Sequence, residues 1–123
     1  MDEPAIRTVA MPCDTNPAGD IFGGWLMSQM DLAGGVVAAR HAHGRCVTVR
    51  VDAMEFERPV HVGDEVSLYA SLTAVGRTSM TIRVEAFRRA RTAEEHEQVT
   101  AAVFLYVALD EAGRPRPVPP LAS

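Results

Sequence analysis

Apolar and polar residues alternate along most of this chain, and one long stretch breaks the alternation. A period of two is typical of strands with one buried face, and it occurs in residues 46–56, 65–75, 79–89 and 99–109. In the first of these strands it places Val47, Val49 and Val51 on one face. Short polar connections join the strands, so we expect neighbouring strands to be antiparallel. A shorter run at residues 5–11 predicts an edge strand ahead of them.

Residues 21–41 break the alternation, because their apolar side chains fall on almost every side of a helix. Such a pattern predicts a buried helix. We expect Asp20 to cap its start and Gly44 to end it. Its four glycines each cost roughly 1 kcal/mol relative to alanine, and the expected benefit is close approach of another backbone or a ligand. One helix cannot cover both faces of the sheet, so we predict an α+β fold with a curved antiparallel sheet wrapped around the helix.

The composition is that of an ordinary globular domain. The chain has 123 residues, of which 47% are hydrophobic and 23% charged, and this predicts a single domain over residues 1–123. Residues 110–123 are rich in proline, and we expect them to form a C-terminal tail. The chain lacks both an apolar stretch of about 18 residues and a signal-peptide pattern. With only two cysteines, Cys13 and Cys46, it is expected to be cytoplasmic, with reduced thiols.

Charge and spacing exclude several classes of partner. The net charge is −4, whereas nucleic-acid-binding domains usually carry a basic surface. No histidine or cysteine pair has the spacing of a metal site. We therefore expect no nucleic acid, no membrane and no metal among the partners of this protein.

Asp31 is the most informative residue, because its charge interrupts the apolar helix. Carboxylates are rarely buried without a partner, and an ion pair or contact with solvent would explain Asp31 as well as a catalytic role would. Gly24, Ser28, Gly34 and Gly35 fall on the same helical stripe. These small residues leave space for a ligand, which favours a functional carboxylate.

Gly23 and Gly24 lie at the start of the same helix, where free backbone N–H groups can stabilise an anion or a developing oxyanion. An equally good explanation is that the two glycines only permit the backbone conformation of the turn. Gly24 and Asp31 are about 10 Å apart along the helix axis, so one small carbonyl cannot easily touch both. Two antiparallel copies of the helix would bring the start of one beside the middle of the other. We therefore expect a homo-oligomer with shared sites, and a dimer as its minimal active unit.

Two further places carry polar side chains suited to binding. Asn16 precedes the helix, and its amide can hold a water or a carbonyl oxygen, although an isolated asparagine more often caps a turn. Arg77, Thr78 and Ser79 place a guanidinium and two hydroxyls where two strands meet. This combination suits contact with a phosphate, and it also occurs in ordinary polar turns.

Several segments resemble a known enzyme family. The similarity is to hotdog-fold acyl-CoA thioesterases, and it lies in residues 10–12, 14–16, 19–25 (Gly-Asp-Ile-Phe-Gly-Gly-Trp) and 27–31. Later segments agree at 43–45, 47–51, 58–60, 62–64, 76–79 and 113–117. The similarity is to the YciA type, which is related to the brain-type cytosolic acyl-CoA hydrolases. It implies the hotdog fold, hydrolysis of acyl-CoA to a free carboxylic acid and coenzyme A, and a homohexamer built as a trimer of dimers.

By position, the resemblance also implies roles for individual residues. Asp31 matches the catalytic carboxylate, and Asn16 matches the asparagine that faces it from the partner protomer. Gly23 and Gly24 match the helix start that polarises the thioester carbonyl. The turn that contains Arg77, Thr78 and Ser79 matches the place where the family contacts coenzyme A. Because coenzyme A is part of the substrate and of the product, no separate cofactor is expected.

The residues leave alternatives open. Asp31 can act as a general base toward water or as a nucleophile that forms an anhydride. A hydratase on the same fold needs a histidine opposite the acid, and the only histidine of the helix is His41 at its end. A non-catalytic module could bind acyl-CoA in the same groove, although a buried acid beside an acyl chain would then be costly and without use.

Overall fold

One long helix lies against a curved five-stranded sheet in the computed structural model, which describes residues 3–121. Met1, Asp2, Ala122 and Ser123, which the predicted domain and tail include, lie outside the described residues. The elements are β1 (Ile6–Val9), a 3-10 turn (Pro12–Asp14), α1 (Gly23–Ala42), β2 (Cys46–Asp52), β3 (Glu65–Val75), β4 (Ser79–Arg89) and β5 (Glu97–Ala108). The strand order is β1-β3-β4-β5-β2, and every neighbouring pair is antiparallel. The predicted α+β hotdog class is confirmed.

The core lies between α1 and the concave face of the sheet. Leu26 and Met30 of the helix are buried, as are Met80, Ile82 and Val84 of β4. Each large aliphatic side chain buried in this way contributes roughly 1.5–3 kcal/mol relative to an exposed position. The inward face predicted for the strand at residues 79–89 is therefore confirmed. Within residues 3–121, no helix combines the length and the hydropathy needed to cross a membrane.

A β-bulge reverses the side-chain alternation within β2. The register against β5 shifts between Thr48 and Arg50, and an extra residue in one strand moves the following side chains to the other face. Thr48 and Val51 therefore line one surface together, while Val47 and Val49 are 41% and 52% exposed. The prediction that Val47, Val49 and Val51 share one face is wrong, because a single-residue bulge leaves no mark in the pattern.

Both predicted ends of the helix need correction. The N-cap is Phe22 in an extended conformation, with no side-chain cap, and the backbone of Asp20 instead pairs with Asn16. At the other end His43 adopts the left-handed conformation, with φ of 55°. A Cβ added at Gly44 would lie 2.7 Å from the guanidinium of Arg116, so a larger residue there would displace the end of the Arg116 side chain.

The proline-rich C-terminal segment folds back onto the domain as a strap (residues 110–119) rather than extending as a tail. Arg116 Nη2 donates to Ala42 O over 2.9 Å, and its Nε donates to Leu109 O over 3.0 Å. Val118 N donates to Arg77 O, and His41 Nε2 donates to Pro119 O. A cation at the carboxyl end of a helix also interacts favourably with the helix dipole. The strap therefore ties the end of α1 to the sheet.

Replacing Arg116 tests this attachment. Arg116→Met removes two hydrogen bonds from a charged donor to backbone carbonyls, and we expect a loss of roughly 2 kcal/mol of stability. The thermal unfolding midpoint at a fixed protein concentration measures it. Arg114→Met is the matched control, since Arg114 contacts Asp110 through its backbone and not through its guanidinium. Equal midpoints for the two variants would contradict the capping role of Arg116.

Candidate active site

The carboxylate of Asp31 is half-buried between the middle of α1 and the inner face of the sheet. Two hydroxyl groups reach one of its oxygens: Thr48 Oγ1 donates to Oδ1 over 2.6 Å, and the Tyr106 hydroxyl lies 2.9 Å from the same atom. The Tyr106 hydroxyl is also 2.8 Å from the backbone oxygen of Asp31. Among residues 3–121, no donor contacts Oδ2. One carboxylate oxygen is thus anchored, and the other is available to a ligand or a water.

Tyr106 reaches Asp31 because α1 has no side chain at Gly34. A Cβ at Gly34 would lie 3.0 Å from the Cε1 and Cζ atoms of the ring and would overlap the hydroxyl oxygen. The ring itself is only 2% exposed. Burial raises the pKa of the Tyr106 hydroxyl well above its usual range, and the hydrogen bond to Asp31 and its negative charge raise this pKa further. The phenol therefore keeps its proton and remains a hydrogen-bond donor.

The stripe of small residues divides into two parts with different roles. Gly34 accommodates Tyr106 and leaves no space for a ligand, so the sequence interpretation was wrong at this position. A Cβ at Gly35, by contrast, would meet nothing within 4 Å. Gly35 lies on an open depression of about 500 Å³ that also includes Asp31, Thr48 and Tyr106. We call it the Gly35 depression.

A second depression adjoins Asp31 on the side toward the start of the helix. It has a volume of about 230 Å³ and is lined by Gly24, Met27, Ser28, Asp31, Thr48, Val51 and Phe104. We call it the Gly24 depression. Gly24 and Asp31 therefore border one continuous surface, as their spacing predicts. Asp31 and Thr48 lie on both depressions, which places the anchored carboxylate where the two meet.

The start of α1 presents backbone N–H groups, since the first turn of a helix has no partners for them within the helix. Trp25 N still reaches Phe22 O over 3.0 Å. A Cβ at Gly23 would lie 3.1 Å from the Phe56 ring, and one at Gly24 would lie 3.3 Å from the Phe22 ring, so a larger residue at either position would press on an aromatic side chain. An apolar pocket of about 200 Å³ opens beside Gly23, between Leu26 and Phe56.

Asn16 caps a turn through its side-chain oxygen, and its side-chain nitrogen remains available to another partner. Its Oδ1 accepts hydrogen bonds from Ala18 N over 2.9 Å and from Asp20 N over 3.1 Å. Its Nδ2 group donates to no residue within 3–121. Asn16 lines neither depression beside Asp31 in its own chain. The role facing Asp31 from a partner protomer stays a prediction.

Arg77, Thr78 and Ser79 lie in the tight turn between β3 and β4, away from Asp31. Gly76 N donates to Ser79 O over 2.9 Å, and Ala108 N donates to Thr78 O over 3.0 Å. Arg77 is exposed, and its backbone oxygen accepts a hydrogen bond from the strap. None of the three lines either depression beside Asp31. Their contact with coenzyme A stays a prediction.

Thr48 and Tyr106 are the site residues that the sequence interpretation missed. Threonine and tyrosine are common in strands, so neither stands out from the alternation. The available signal was that Asp31 needed hydroxyl donors and that Gly34 left room for one large side chain. Without the register of β2 and β5, these two facts do not identify the donors.

Comparisons with known proteins identify the family of this chain. The Thioesterase superfamily model matches residues 18–94. This chain belongs to that superfamily. The acyl-CoA thioester hydrolase YciA of Salmonella typhimurium is 52% identical over 120 residues, which cover 95% of this chain and 90% of the relative. The implied relationship to the YciA type is thereby confirmed.

Solved structures show the same fold. The hexameric thioesterase y2039 from Yersinia pestis superimposes with a TM-score of 0.91 at 52% identity, covering 95% of both chains. The hexameric broad-specificity acyl-coenzyme A thioesterase HI0827 gives a TM-score of 0.91 at 48% identity, covering 97% of this chain and 82% of that one. These two structures therefore share the overall fold of this chain.

The protonated state of Tyr106 predicts a loss of stability at alkaline pH. In the unfolded chain, a tyrosine has a pKa of about 10 and loses its proton near that pH. In the folded chain, Tyr106 keeps its proton there because its pKa is raised. Above pH 10 the unfolded chain therefore binds fewer protons than the folded one, and the free energy of unfolding falls as the pH rises. We expect Tyr106→Phe to lose less stability than the parent between about pH 9 and pH 11.

Urea unfolding at each pH measures this difference. Burial also raises the pKa of the Cys46 thiol, which gives a slope of the same sign, so both proteins carry Cys46→Ser. Identical slopes with and without the Tyr106 hydroxyl would show that its pKa is not raised in the folded state.

Proposed function

We propose that this protein is an acyl-CoA thioester hydrolase, which uses water to release a carboxylic acid and coenzyme A. The observation that carries the proposal is the Asp31 carboxylate, held on one oxygen by Thr48 and Tyr106 and open on the other. A carboxylate positioned in this way is suited to remove a proton from water. The names of relatives support the substrate class, since YciA is an acyl-CoA thioester hydrolase and HI0827 an acyl-coenzyme A thioesterase.

In the proposed reaction, Asp31 Oδ2 takes a proton from a water whose oxygen attacks the thioester carbonyl carbon. The N–H groups of Gly23 or Gly24 stabilise the resulting oxyanion. The carbon–sulfur bond then breaks, and the Asp31 carboxyl returns the proton to the leaving sulfur. General-base assistance is typically worth about 10²–10⁴-fold, and one oxyanion donor about 10²–10³-fold. The alternative in which Oδ2 attacks the carbonyl and forms an anhydride uses the same groups.

The substrate supplies everything else that the reaction needs. We propose that coenzyme A takes part only as a portion of substrate and product, with Arg77, Thr78 and Ser79 contacting it, and that no cofactor or metal is required. The apolar pocket beside Gly23 suits the acyl chain. The cytoplasmic location and the absence of nucleic-acid and membrane partners stay predictions from the sequence.

The exposed apolar residues around Asp31 support assembly from copies of this chain. Leu32 and Val36 of α1, which line the Gly35 depression, are 58% and 39% exposed, and Val51 of β2, which lines the Gly24 depression, is 37% exposed. Exposed apolar side chains grouped in this way mark an interface, and within residues 3–121 β2 pairs with β5 and with no second strand. We infer a two-fold dimer through β2 and the exposed face of α1. The relatives y2039 and HI0827 are hexameric, which supports a trimer of such dimers.

In that dimer the helices lie antiparallel, and each site combines two protomers. Asp31, Thr48 and Tyr106 come from one protomer, and the helix start with Gly23, Gly24 and Asn16 comes from the partner. The free Nδ2 group of Asn16 then holds the attacking water or the carbonyl oxygen.

Asp31→Asn tests the general base. The amide oxygen still accepts hydrogen bonds from Thr48 and Tyr106, so the fold and the assembly are retained, while kcat falls by about 10²–10⁴-fold. Thiol release across acyl-CoAs of several chain lengths measures the rate, corrected for the free thiols of Cys13 and Cys46. Glu94→Gln, in the exposed loop between β4 and β5, is the control and retains full activity. Full activity of Asp31→Asn would exclude Asp31 as base, and tight binding of acyl-CoA without turnover by the parent would indicate a binding module.

Mixed oligomers test the shared site. Asn16→Asp keeps the oxygen that accepts from Ala18 and Asp20 and removes the Nδ2 donor, so we expect it to be nearly inactive, as is Asp31→Asn. When the two inactive chains are co-expressed in equal amounts, random pairing restores both groups in about one quarter of the sites of a two-fold dimer.

We therefore expect about one quarter of the parental rate from the mixture, measured by thiol release on the purified oligomers. The two variants mixed after separate assembly, without exchange of subunits, are the control. No recovery in co-expressed oligomers would mean that Asp31 and Asn16 act within one chain or not together.

A further inference from the structure

Ser28 lies on the Gly24 depression beside Asp31, and the proposed reaction does not use it. Thr48 is the third residue of the lining that carries a side-chain oxygen. The other side chains of the lining are apolar: Met27, Val51 and Phe104. Three oxygen-bearing side chains thus share a depression of about 230 Å³ whose wall is otherwise apolar.

The hydroxyl hydrogens of Ser28 and Thr48 are already used inside the protein. Ser28 Oγ donates to Trp25 O over 2.7 Å, and Thr48 Oγ1 donates to Asp31 Oδ1 over 2.6 Å. A hydroxyl has one hydrogen and two lone pairs, and an ionised carboxylate only accepts. The side chains that the structure describes around this depression therefore offer it acceptors rather than donors.

A ligand of the Gly24 depression must bring the hydrogens itself. Water brings two, and an enclosed water is stable where two to four polar groups surround it. The oxygen of a thioester carbonyl only accepts hydrogen bonds, so these side chains cannot hold it. Backbone N–H groups at the start of a helix suit the carbonyl oxygen instead. The polar side chains of the depression therefore match the attacking water.

The helix places Ser28 at the right distance for this. Ser28 and Asp31 are three residues apart on α1, so their Cβ atoms lie about 5–6 Å apart on one face. A water with two hydrogen bonds of about 2.8 Å joins acceptors that are roughly 4.5 Å apart. One water can therefore donate to Ser28 Oγ and to Asp31 Oδ2 together. Its lone pairs then point away from the two acceptors and are available for attack.

We propose that Ser28 is a further catalytic residue, whose Oγ accepts a hydrogen bond from the attacking water while Asp31 Oδ2 removes the other hydrogen as a proton. This inference rests on the proposed function. The water oxygen forms the new bond to the carbonyl carbon, the carbon–sulfur bond breaks, and the proton on Asp31 passes to the sulfur. Ser28 gains no proton, because the hydrogen that it holds stays on the oxygen that enters the acid product.

Competition between water and methanol tests the proposal. Methanol has one hydrogen to donate, which Asp31 takes, so methanol gains nothing from Ser28. We expect Ser28→Ala to lower kcat for acid formation roughly tenfold, as for one lost hydrogen bond, with KM unchanged. The ratio of methyl ester to acid, measured by chromatography after turnover of acyl-CoA in dilute methanol, rises by the same factor. Ser71→Ala, on an exposed serine of β3 that lines neither depression, is the matched control and keeps the parental rate and ratio.

Ser28→Cys separates hydrogen bonding from space. A thiol occupies the place of the hydroxyl, but its sulfur is a weak acceptor. With the thiol kept reduced, we expect this variant to raise the ratio of ester to acid as Ser28→Ala does. A raised ratio in Ser28→Ala alone would mean that methanol had only gained room, and it would overturn the proposal.

Two further outcomes would also overturn it. An unchanged ratio in both variants would mean that the contact of Ser28 with Trp25 is structural, as such contacts within helices often are, because a structural loss slows both nucleophiles alike. A raised KM with unchanged kcat would mean that Ser28 contacts the substrate and not the water. If the parent forms neither acid nor ester from acyl-CoA, the proposed function itself is wrong, and the role of Ser28 is wrong with it.

Discussion

The contact between the Tyr106 hydroxyl and Asp31, made across the gap at Gly34, is the interaction on which both fold and site depend. Tyr106 lies on the buried face of β5 and is almost fully enclosed. A buried hydroxyl without a partner would cost about 1–3 kcal/mol, and Asp31 supplies acceptors from its side chain and its backbone. The same bond joins α1 to the sheet and orients the carboxylate. A change that disturbs it therefore affects stability and chemistry together.

The sequence was sufficient for the parts of the molecule that follow a period. The alternation in residues 79–89 predicted the buried face of β4, and Asp31 stood out because a charge interrupts an apolar helix. The sequence was insufficient where one extra residue reverses which side chains of a strand face the core. The bulge in β2 turns Thr48 toward Asp31 and leaves Val49 exposed. The proline content likewise predicted a C-terminal segment without regular secondary structure. It did not predict the contacts of the strap, because these depend on where Arg116 meets the end of α1.

Asn16 shows that a structural and a functional role need not exclude each other. An amide has an acceptor oxygen and a donor nitrogen. The oxygen holds the loop ahead of α1 through Ala18 and Asp20, which fixes the direction of the nitrogen. Because these hydrogen bonds already restrict the Asn16 side chain, it loses little further conformational entropy when its nitrogen binds a partner. The capping hydrogen bonds therefore orient the Asn16 nitrogen for the proposed contact across the dimer.

The exposed aliphatic side chains and the distance between Gly24 and Asp31 along the helix have one common explanation in the proposed dimer. Leu32 and Val51 are 58% and 37% exposed in the single chain, and covering them with a second copy stabilises the proposed dimer in proportion to the apolar area removed from water. In the proposed two-fold dimer, the arrangement that covers them also places the helix start of the partner opposite Asp31. Assembly and completion of the site are then a single event, so a 123-residue chain needs no deep pocket of its own.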